Sequence, residues 1–350
     1  MNTLEQQLES EVVTRSQPSP NGFFEAMHAY QRTAAMKTAV ELNLFTVIGE
    51  STGTIAELVQ RINAPERGVR ALCDFLVVMG FLGKYVDEPE ARYSLTPDSA
   101  MFLDKRSPRY IGSATVFMGS TTWVDTFREL TAIIRAGGPL QGRRHVDDDH
   151  PIWVDFARCM APIIHPVAEA TAKLIRVDPG TKVLDIAASH GLFGIAVARQ
   201  NPGATIVALD FPSVLTVASE NAERFCISDR YMLIAGNALE VPFGADFGAV
   251  LVSNLLHHWD RQTIQALLKK VHASLAPGGR IVVIEFAPND DRVSPPIPAS
   301  FVMNMLVNTA GGNAYTVSEN FEMLRSAGFV ACEAHPLPPT PQTAIVGLKK

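Results

Sequence analysis

Cysteine is scarce in this chain of 350 residues, and no two of its four cysteines form a Cys-x-x-Cys pair. A disulfide framework or a cysteine-rich zinc site is therefore not expected, and a reducing compartment fits. No apolar run reaches the roughly 18 residues that a membrane span needs. The first twelve residues are polar and acidic, which argues against a secretory signal. We expect a cytoplasmic protein without a membrane partner.

Positively charged residues are fewer than negatively charged ones. The formal net charge is −6, and residues 1–100 carry eight Lys and Arg against thirteen Asp and Glu. Binding to nucleic acid needs a positive surface, so a nucleic-acid partner is not expected. With 47% hydrophobic residues the chain can fold into globular domains, and its length predicts more than one.

The N-terminal third has the order of a winged helix. After a flexible tail at 1–20, residues 21–105 show short helical patterns and then a hairpin, and Thr54 with Glu57 forms a capping-box signature. The helix expected at 65–80 carries no net charge, which disfavours DNA recognition. We expect the apolar helices of this domain to pack on a second copy, giving a homodimer.

The rest of the chain divides into two further parts. Residues 106–175 are expected to be connecting helices that form part of a substrate pocket. Residues 176–350 alternate strands and helices, which predicts a doubly wound, Rossmann-like parallel sheet of the α/β class. The strands are expected at 182–187, 205–210, 231–234, 249–253 and 280–286, with a closing hairpin at 329–334 and 343–348.

The turn after the first of these strands is the expected cofactor site. A strand, a tight loop and a helix bind nucleotide-like ligands in open α/β sheets, and the loop here reads Ala187-Ala188-Ser189-His190-Gly191. Asp210 ends the next strand, where a carboxylate can accept both ribose hydroxyls of an adenosine. The two alanines stand where a pyrophosphate would need bare backbone. We therefore expect a cofactor without pyrophosphate, such as S-adenosylmethionine.

A series of six motifs carries a family resemblance. In chain order they lie at 183–191, 208–215, 234–238, 253–260, 275–280 and 311–316. Together they resemble the class I, S-adenosylmethionine-dependent small-molecule O-methyltransferases of the caffeate and hydroxyindole type, over about residues 23–350. That family joins a winged-helix dimerisation domain to a Rossmann-like methyltransferase domain, so the resemblance implies the same fold, a homodimer and S-adenosylmethionine as cofactor.

The resemblance also implies cofactor contacts. Asp210 matches the acid that binds the ribose, and Phe211 lies beside the adenine. Asn237 and Ala238 match an adenine-contacting pair, although the family usually has Asp at the first position, so Asn237 can bond the adenine edge without charge. The full set of expected cofactor residues is Asp185, Ala187, Ala188, Ser189, Gly191, Asp210, Phe211, Asn237, Ala238, Ser253 and Trp259.

The resemblance further implies a catalytic pair. His257 matches the general base, and Glu285 matches one acid that flanks it. Two positions depart from the family: His258 replaces an Asp, and Ala314 stands where a second flanking Glu is expected. These departures, with the altered cofactor loop, resemble a divergent bacterial branch that includes C-methyltransferases.

The predicted function is methyl transfer to a hydroxyl of an aromatic or polyketide-like small molecule. The alternatives are a C-methyltransferase of the same fold, or an inactive winged-helix regulator or binding protein. His257, His258 and Asp260 are close in sequence, but neighbours on a helix point apart, so no metal site is expected and His258 should face away from His257. The expected substrate-binding residues are Met118, Trp123, Phe156, Met160, His257, Met303 and Asn304.

Overall fold

The computed structural model describes residues 18–50, 53–87, 90–140 and 150–350. The chain divides into two compact units, Met1–Ala100 and Met101–Lys350. Of the predicted tail, residues 1–17 lie outside the described part. In the described ranges, no helix is both long and apolar enough to cross a membrane.

The first unit is helical with a small antiparallel sheet. Three strands pair in the order β1-β3-β2, and β2 and β3 form the predicted hairpin. The Thr54 side chain accepts a hydrogen bond from the Glu57 N–H while Glu57 accepts one from the Thr54 N–H, so the predicted capping box is confirmed. The elements are α1 (Asn21–Glu41), α2 (Leu44–Glu50), β1 (Gly53–Thr54), α3 (Ile55–Ile62), α4 (Glu66–Val78), β2 (Leu82–Asp87), β3 (Glu90–Leu95) and α5 (Pro97–Phe102), whose last two residues belong to the second unit.

The first helix presents large apolar side chains to solvent. Phe23, Phe24, Met27 and Tyr30 of α1 are each more than half exposed. An exposed cluster of this size is typical of an interaction surface.

The second unit is built on a seven-stranded sheet. Its strand order is β6-β5-β4-β7-β8-β10-β9, with β4 to β8 parallel and β10 antiparallel to both of its neighbours. The predicted alternation of strands and helices and the predicted closing hairpin are confirmed. The strands are β4 (Lys182–Ile186), β5 (Thr205–Asp210), β6 (Tyr231–Ala235), β7 (Phe247–Ser253), β8 (Leu275–Glu285), β9 (Val330–Pro336) and β10 (Thr343–Leu348).

Helices cover both faces of this sheet. Leu184 and Ile186 belong to one buried apolar cluster and Val183 to another, as expected when successive strand residues point to opposite faces. The first cluster includes side chains of α12 and α14, and the second those of α9 and α10. The helices are α6 (Thr115–Met118), α7 (Thr121–Val124), α8 (Leu130–Ala136), α9 (Ile152–Ala172), α10 (Leu192–Gln200), α11 (Pro212–Arg224), α12 (Arg261–Ser274), α13 (Pro296–Asn308) and α14 (Val317–Ser326).

The parallel strands end at one edge of the sheet. β5 ends at Asp210, β7 at Ser253 and β8 at Glu285, while β4 runs directly into the loop that begins at Ala187. From β4 the chain continues to β5 on one side and later to β7 on the other side, so its winding direction changes at β4. Ligands bind at such a switch point in open α/β sheets. Residues widely separated in sequence are therefore brought to one side of the molecule.

Candidate active site

The loop between β4 and α10, residues 187–191, has an unusual backbone. Ala187, Ser189 and Gly191 all have positive φ, at 54°, 52° and 74°. Only glycine enters this region without steric cost, so the surroundings hold Ala187 and Ser189 there. The Asp210 carboxylate accepts hydrogen bonds from the Ser189 N–H at 2.8 Å and the Phe211 N–H at 2.7 Å. Asp210 thereby ties the loop to the neighbouring strand.

Gly191 occupies a place that admits no side chain. A Cβ added there would lie 2.5 Å from the Tyr231 hydroxyl oxygen and 3.1 Å from the Ala218 Cβ. The Gly191 N–H donates to the carbonyl of Ala188 at 2.7 Å, which closes the turn. Close approach and positive φ together require glycine at this position.

Two buried ionisable side chains support the same loop. Asp185 accepts a hydrogen bond from the Gly194 N–H at 2.9 Å, and burial, with a smaller contribution from Asp210, raises the pKa of its carboxyl to about 7. The His190 Nδ1 accepts one from the Leu192 N–H at 3.2 Å, and burial lowers the pKa of His190 to about 3. His190 is therefore neutral at physiological pH.

The remaining cofactor candidates lie on the loops after neighbouring strands. The Asn237 amide oxygen accepts a hydrogen bond from the Leu239 N–H at 2.9 Å, and Ala238 is buried in the core. Phe211 packs against the cluster formed by α9 and α11. Trp259 packs, partly buried, against the cluster that includes α12.

The polar groups along the ends of β4, β5 and β7 fit an adenosine-bearing cofactor. Within the part of the chain that the structure describes, no group hydrogen-bonds to the buried hydroxyls of Ser189 and Ser253. Buried hydroxyls without partners are costly, and hydroxyl and amino groups of a bound nucleoside would satisfy them. The carboxylate of Asp210, which is bonded to the Ser189 N–H, suits the two ribose hydroxyls.

His257 and Glu285 form a buried pair at the edge of the sheet. The His257 Nδ1 and a Glu285 carboxylate oxygen are 2.6 Å apart, and the two side chains are 7% and 5% exposed. The other Glu285 oxygen accepts from the N–H groups of Leu255 at 3.0 Å and His257 at 3.3 Å. With Nδ1–H donated to the carboxylate, the Nε2 of a neutral His257 keeps its lone pair.

The prediction that His258 faces away from His257 is wrong. The two ring centroids are 4.4 Å apart, because residues 256–258 form a 3-10 turn rather than part of an α-helix. His258 also meets the Trp153 ring edge-on at 5.9 Å. Burial, and secondarily His257, lower the pKa of His258 to about 3, so His258 is neutral at physiological pH.

An unbroken series of ring contacts leads away from this pair. Trp153 contacts Phe156 at 6.2 Å, Phe156 contacts Phe117 at 5.0 Å, and Phe117 contacts Trp123 at 4.8 Å. On the other side, the ring of Phe301 from α13 lies 4.9 Å from that of His257. The expected pocket residues Trp123 and Phe156 are thus joined to the histidines through rings.

The other expected substrate residues are less closely associated with His257. Met118 is 57% exposed on α6, and Met160 packs against the cluster that includes α9 and α10. Met303 and Asn304 lie on α13, the helix from which the ring of Phe301 contacts that of His257. Sequence reasoning missed Phe301, and a helical pattern alone gives no signal that could have found it.

Two further observations bear on the chemistry. Ala314, which stands where the family carries a second acid, is buried and brings no charge. Across the described ranges, no group of three or more His, Cys, Asp or Glu side chains is arranged to hold a metal ion.

Two family models and several known proteins match this chain. A family model for an O-methyltransferase domain matches residues 143–330, and one for an O-methyltransferase dimerisation domain matches residues 24–105. A tetracenomycin polyketide synthesis 8-O-methyltransferase from Streptomyces glaucescens is 26% identical over 89% of this chain and 91% of its own length. Acetylserotonin O-methyltransferase from Gallus gallus is 24% identical over 89% of this chain and 92% of its own.

Solved structures show the same architecture. A crystal structure described as a putative O-methyltransferase from Nostoc punctiforme is 45% identical, with a TM-score of 0.90 over 95% of this chain and all of that one. Human N-acetylserotonin methyltransferase in complex with S-adenosylmethionine shares the fold at 20% identity, with a TM-score of 0.84 over 96% of this chain and 99% of that one. The dimerisation domain and the methyltransferase domain together cover most of the chain. It belongs to the O-methyltransferase family and is a methyltransferase that uses S-adenosylmethionine as its cofactor.

Proposed function

We propose that the enzyme methylates a hydroxyl of an aromatic or polyketide-like small molecule, with His257 as the general base. The observation that carries the proposal is the buried His257–Glu285 pair at 2.6 Å. Glu285 fixes the tautomer and orientation of the ring, which leaves Nε2 as a proton acceptor. This is the arrangement that a general base needs.

The chemistry suits an aromatic hydroxyl. A phenol has a pKa near 10 and a histidine near 6.5, so a free phenol is protonated at neutral pH. His257 takes the hydroxyl proton at Nε2, and the nearby carboxylate of Glu285 stabilises the resulting imidazolium. The surrounding rings of Trp153 and Phe301 exclude water, which strengthens the electrostatic interaction between the pair.

The cofactor side of the site has a separate task. Asp210 would hold the ribose hydroxyls, Asn237 the adenine edge, and the loop at 187–191 the rest of the cofactor. When bound, S-adenosylmethionine supplies a methyl group on a positively charged sulfur, which an oxygen nucleophile can accept. Positioning the acceptor oxygen and this methyl group in line replaces a bimolecular encounter.

The acceptor class is supported by the aromatic side chains and by the relatives. Trp153 supplies a flat apolar surface next to His258, and Phe156 and Trp123 follow it in the series of ring contacts, so residues 106–175 would contribute part of the substrate pocket. The Streptomyces glaucescens relative is named for a step in polyketide synthesis. Both features favour a planar cyclic acceptor over an aliphatic one.

We further propose that the protein is a homodimer joined through its N-terminal domain. The exposed apolar side chains of α1 support this, as does the match to a dimerisation domain. Light scattering at micromolar concentration tests it: a dimer is expected, and a monomer would contradict the proposal.

The test of the catalytic proposal is His257→Ala. Turnover should fall by about 10²–10⁴, the usual contribution of a positioned base, while the affinity for S-adenosylhomocysteine, measured by calorimetry, should stay the same. A variant with near-full turnover would show that His257 is not the base. A product methylated on carbon would instead support the C-methyltransferase alternative.

A further inference from the structure

The loop between α13 and α14 lies directly against the turn that carries His257. At Gly312 an added Cβ would fall 2.2 Å from the His257 carbonyl oxygen, 2.4 Å from the Thr309 Oγ1 and 3.0 Å from the His258 carbonyl carbon. The next residue, Asn313, donates its N–H to the same His257 carbonyl at 2.9 Å. The added Cβ of Gly312 and the Asn313 N–H both meet backbone atoms of the histidine turn, so this turn cannot relieve the overlap by rotating a side chain.

Glu285 holds the same residue from its other side. It accepts from the His257 N–H and pairs with the His257 ring, whereas the loop contacts the His257 carbonyl. The amide N–H, the carbonyl and the ring of the base are all engaged. The position of Nε2 therefore depends on the loop as well as on the acid.

The loop is itself anchored. The Tyr315 hydroxyl donates to the Trp259 carbonyl at 2.7 Å, so a second bond joins the loop to the histidine turn. Thr316 then starts α14 with a capping box to Glu319, whose carboxylate pairs with Arg261 at the start of α12 at 2.7 Å. Both ends of the contact are thus fixed to neighbouring helices.

We propose that Gly312 is a positioning residue for the catalytic base, acting by close backbone contact with His257. The inference rests on the proposed role of His257 and adds a function to a loop that has no ionisable group of its own against the base. Ala314 brings no charge to this loop, and the loop acts on the ring through the backbone contact of Gly312.

The test is Gly312→Ala with two matched glycine controls. The added methyl must displace the His257 turn, and a displacement near 1 Å can cost about 100-fold, so we expect turnover to fall by about 10- to 100-fold with unchanged affinity for S-adenosylhomocysteine. Gly311→Ala, whose Cβ would lie 3.1 Å from the Asp260 Cβ, should cost less. Gly138→Ala, with no atom within 4 Å of the added Cβ, should cost nothing.

Acceptor acidity separates positioning from a general loss of structure. Each variant is assayed with a phenol that the enzyme accepts and with its nitro-substituted analogue, which is ionised at the assay pH and needs no base. Gly312→Ala should lose most of its turnover with the phenol and at most about threefold with the ionised analogue. Equal losses with both acceptors, or no loss with either, would overturn the proposal.

Two more variants keep the result interpretable. Tyr315→Phe removes only the bond to the Trp259 carbonyl, and it should show the same preference for the ionised acceptor at a smaller loss, even if Gly312→Ala unfolds. His257→Ala identifies which proposal fails. Full turnover by His257→Ala would reject the base itself, whereas its inactivity beside a fully active Gly312→Ala would reject only the positioning role.

Discussion

On the side of the site that we propose for the cofactor, side chains shape the backbone: the Asp210 carboxylate accepts from two main-chain N–H groups, and the Tyr231 hydroxyl leaves no room for a side chain at Gly191. On the side that we propose for the acceptor, rings contact rings, from Phe301 through the two histidines to Trp153. The first half comes from two neighbouring strands and the loops after them. The second is assembled from α9, the histidine turn and α13.

The difference has a functional meaning. A binding surface formed by backbone atoms suits a cofactor that is the same in every reaction, because few side-chain substitutions can alter such a surface. A site made from side chains on separate helices can change its shape by single substitutions without disturbing the sheet. We therefore expect variants on the cofactor side to change the affinity for the cofactor, and variants on the acceptor side to change turnover, each without affecting the other quantity.

The largest effect on the cofactor side is expected from Asp210→Ala. The variant removes a charged acceptor for the ribose hydroxyls, the bond from the Ser189 N–H of the loop and the bond from the Phe211 N–H, each worth about 1.5–3 kcal/mol. The Kd for S-adenosylhomocysteine should rise by about 10- to 100-fold or more in calorimetry, while turnover at saturating cofactor falls far less. Asp229→Ala, which removes an exposed aspartate, is the matched control. Unchanged affinity in Asp210→Ala would remove this carboxylate from the cofactor site.

Acidification should destabilise the cofactor side through His190. Its pKa is about 3 in the folded protein and near 6.5 when unfolded, so below pH 6.5 the unfolded state binds the extra proton and stability falls as the pH drops toward 3. At pH 5 this histidine costs about 2 kcal/mol. His190→Asn should therefore narrow the gap in unfolding free energy between pH 7.5 and pH 5, measured with urea. An identical gap in the variant would contradict the prediction.

Glu285→Gln should weaken the acceptor side alone. Glutamine keeps the shape and one oxygen for the main-chain N–H groups, but it removes the charge that favours the imidazolium of His257. We expect turnover to fall by about tenfold, the value of a charge-assisted hydrogen bond, with unchanged affinity for S-adenosylhomocysteine. If the affinity falls together with the turnover, the two halves are not independent.

The smallest effect should come from the strained loop. Ala187 has a φ of 54°, so Ala187→Gly should raise the unfolding free energy by about 0.5–1 kcal/mol. Ala188→Gly, one residue on, is not at a positive φ and removes a buried methyl group, so it should lower stability by about 1 kcal/mol. Thermal unfolding of the pair measures both, and the same sign for the two changes would show that strain at Ala187 is negligible.

The cofactor side was largely predictable from sequence because its parts are local. A buried strand, a tight turn and an acid at the end of the next strand can be recognised along the chain, and the strands at 182–187 and 205–210 lie within one residue of β4 and β5. The positive φ of Ala187 and Ser189 was not predictable, because the intrinsic preference of both residues is against it.

The acceptor side was predicted only in part. Tertiary contacts decide which residue of α13 reaches His257: the predicted pocket residues Met303 and Asn304 lie on this helix, and the ring of Phe301 contacts that of His257. The predicted orientation of His258 is wrong because residues 256–258 form a short 3-10 turn, in which consecutive side chains point in other directions than in an α-helix. Neither the contact of Phe301 nor the 3-10 turn can be recognised from a local sequence pattern.

The position of β10 has a consequence for how the enzyme is made. Thr343 of this strand lies opposite Glu285 in the sheet, and the rest of β10 pairs along β8. During synthesis, the strand that carries Glu285 therefore stays an open edge until residues 343–348 have left the ribosome. Shorter nascent chains hold every residue of the proposed active site but not the sheet that orders it, so activity should begin only once this last strand has been inserted.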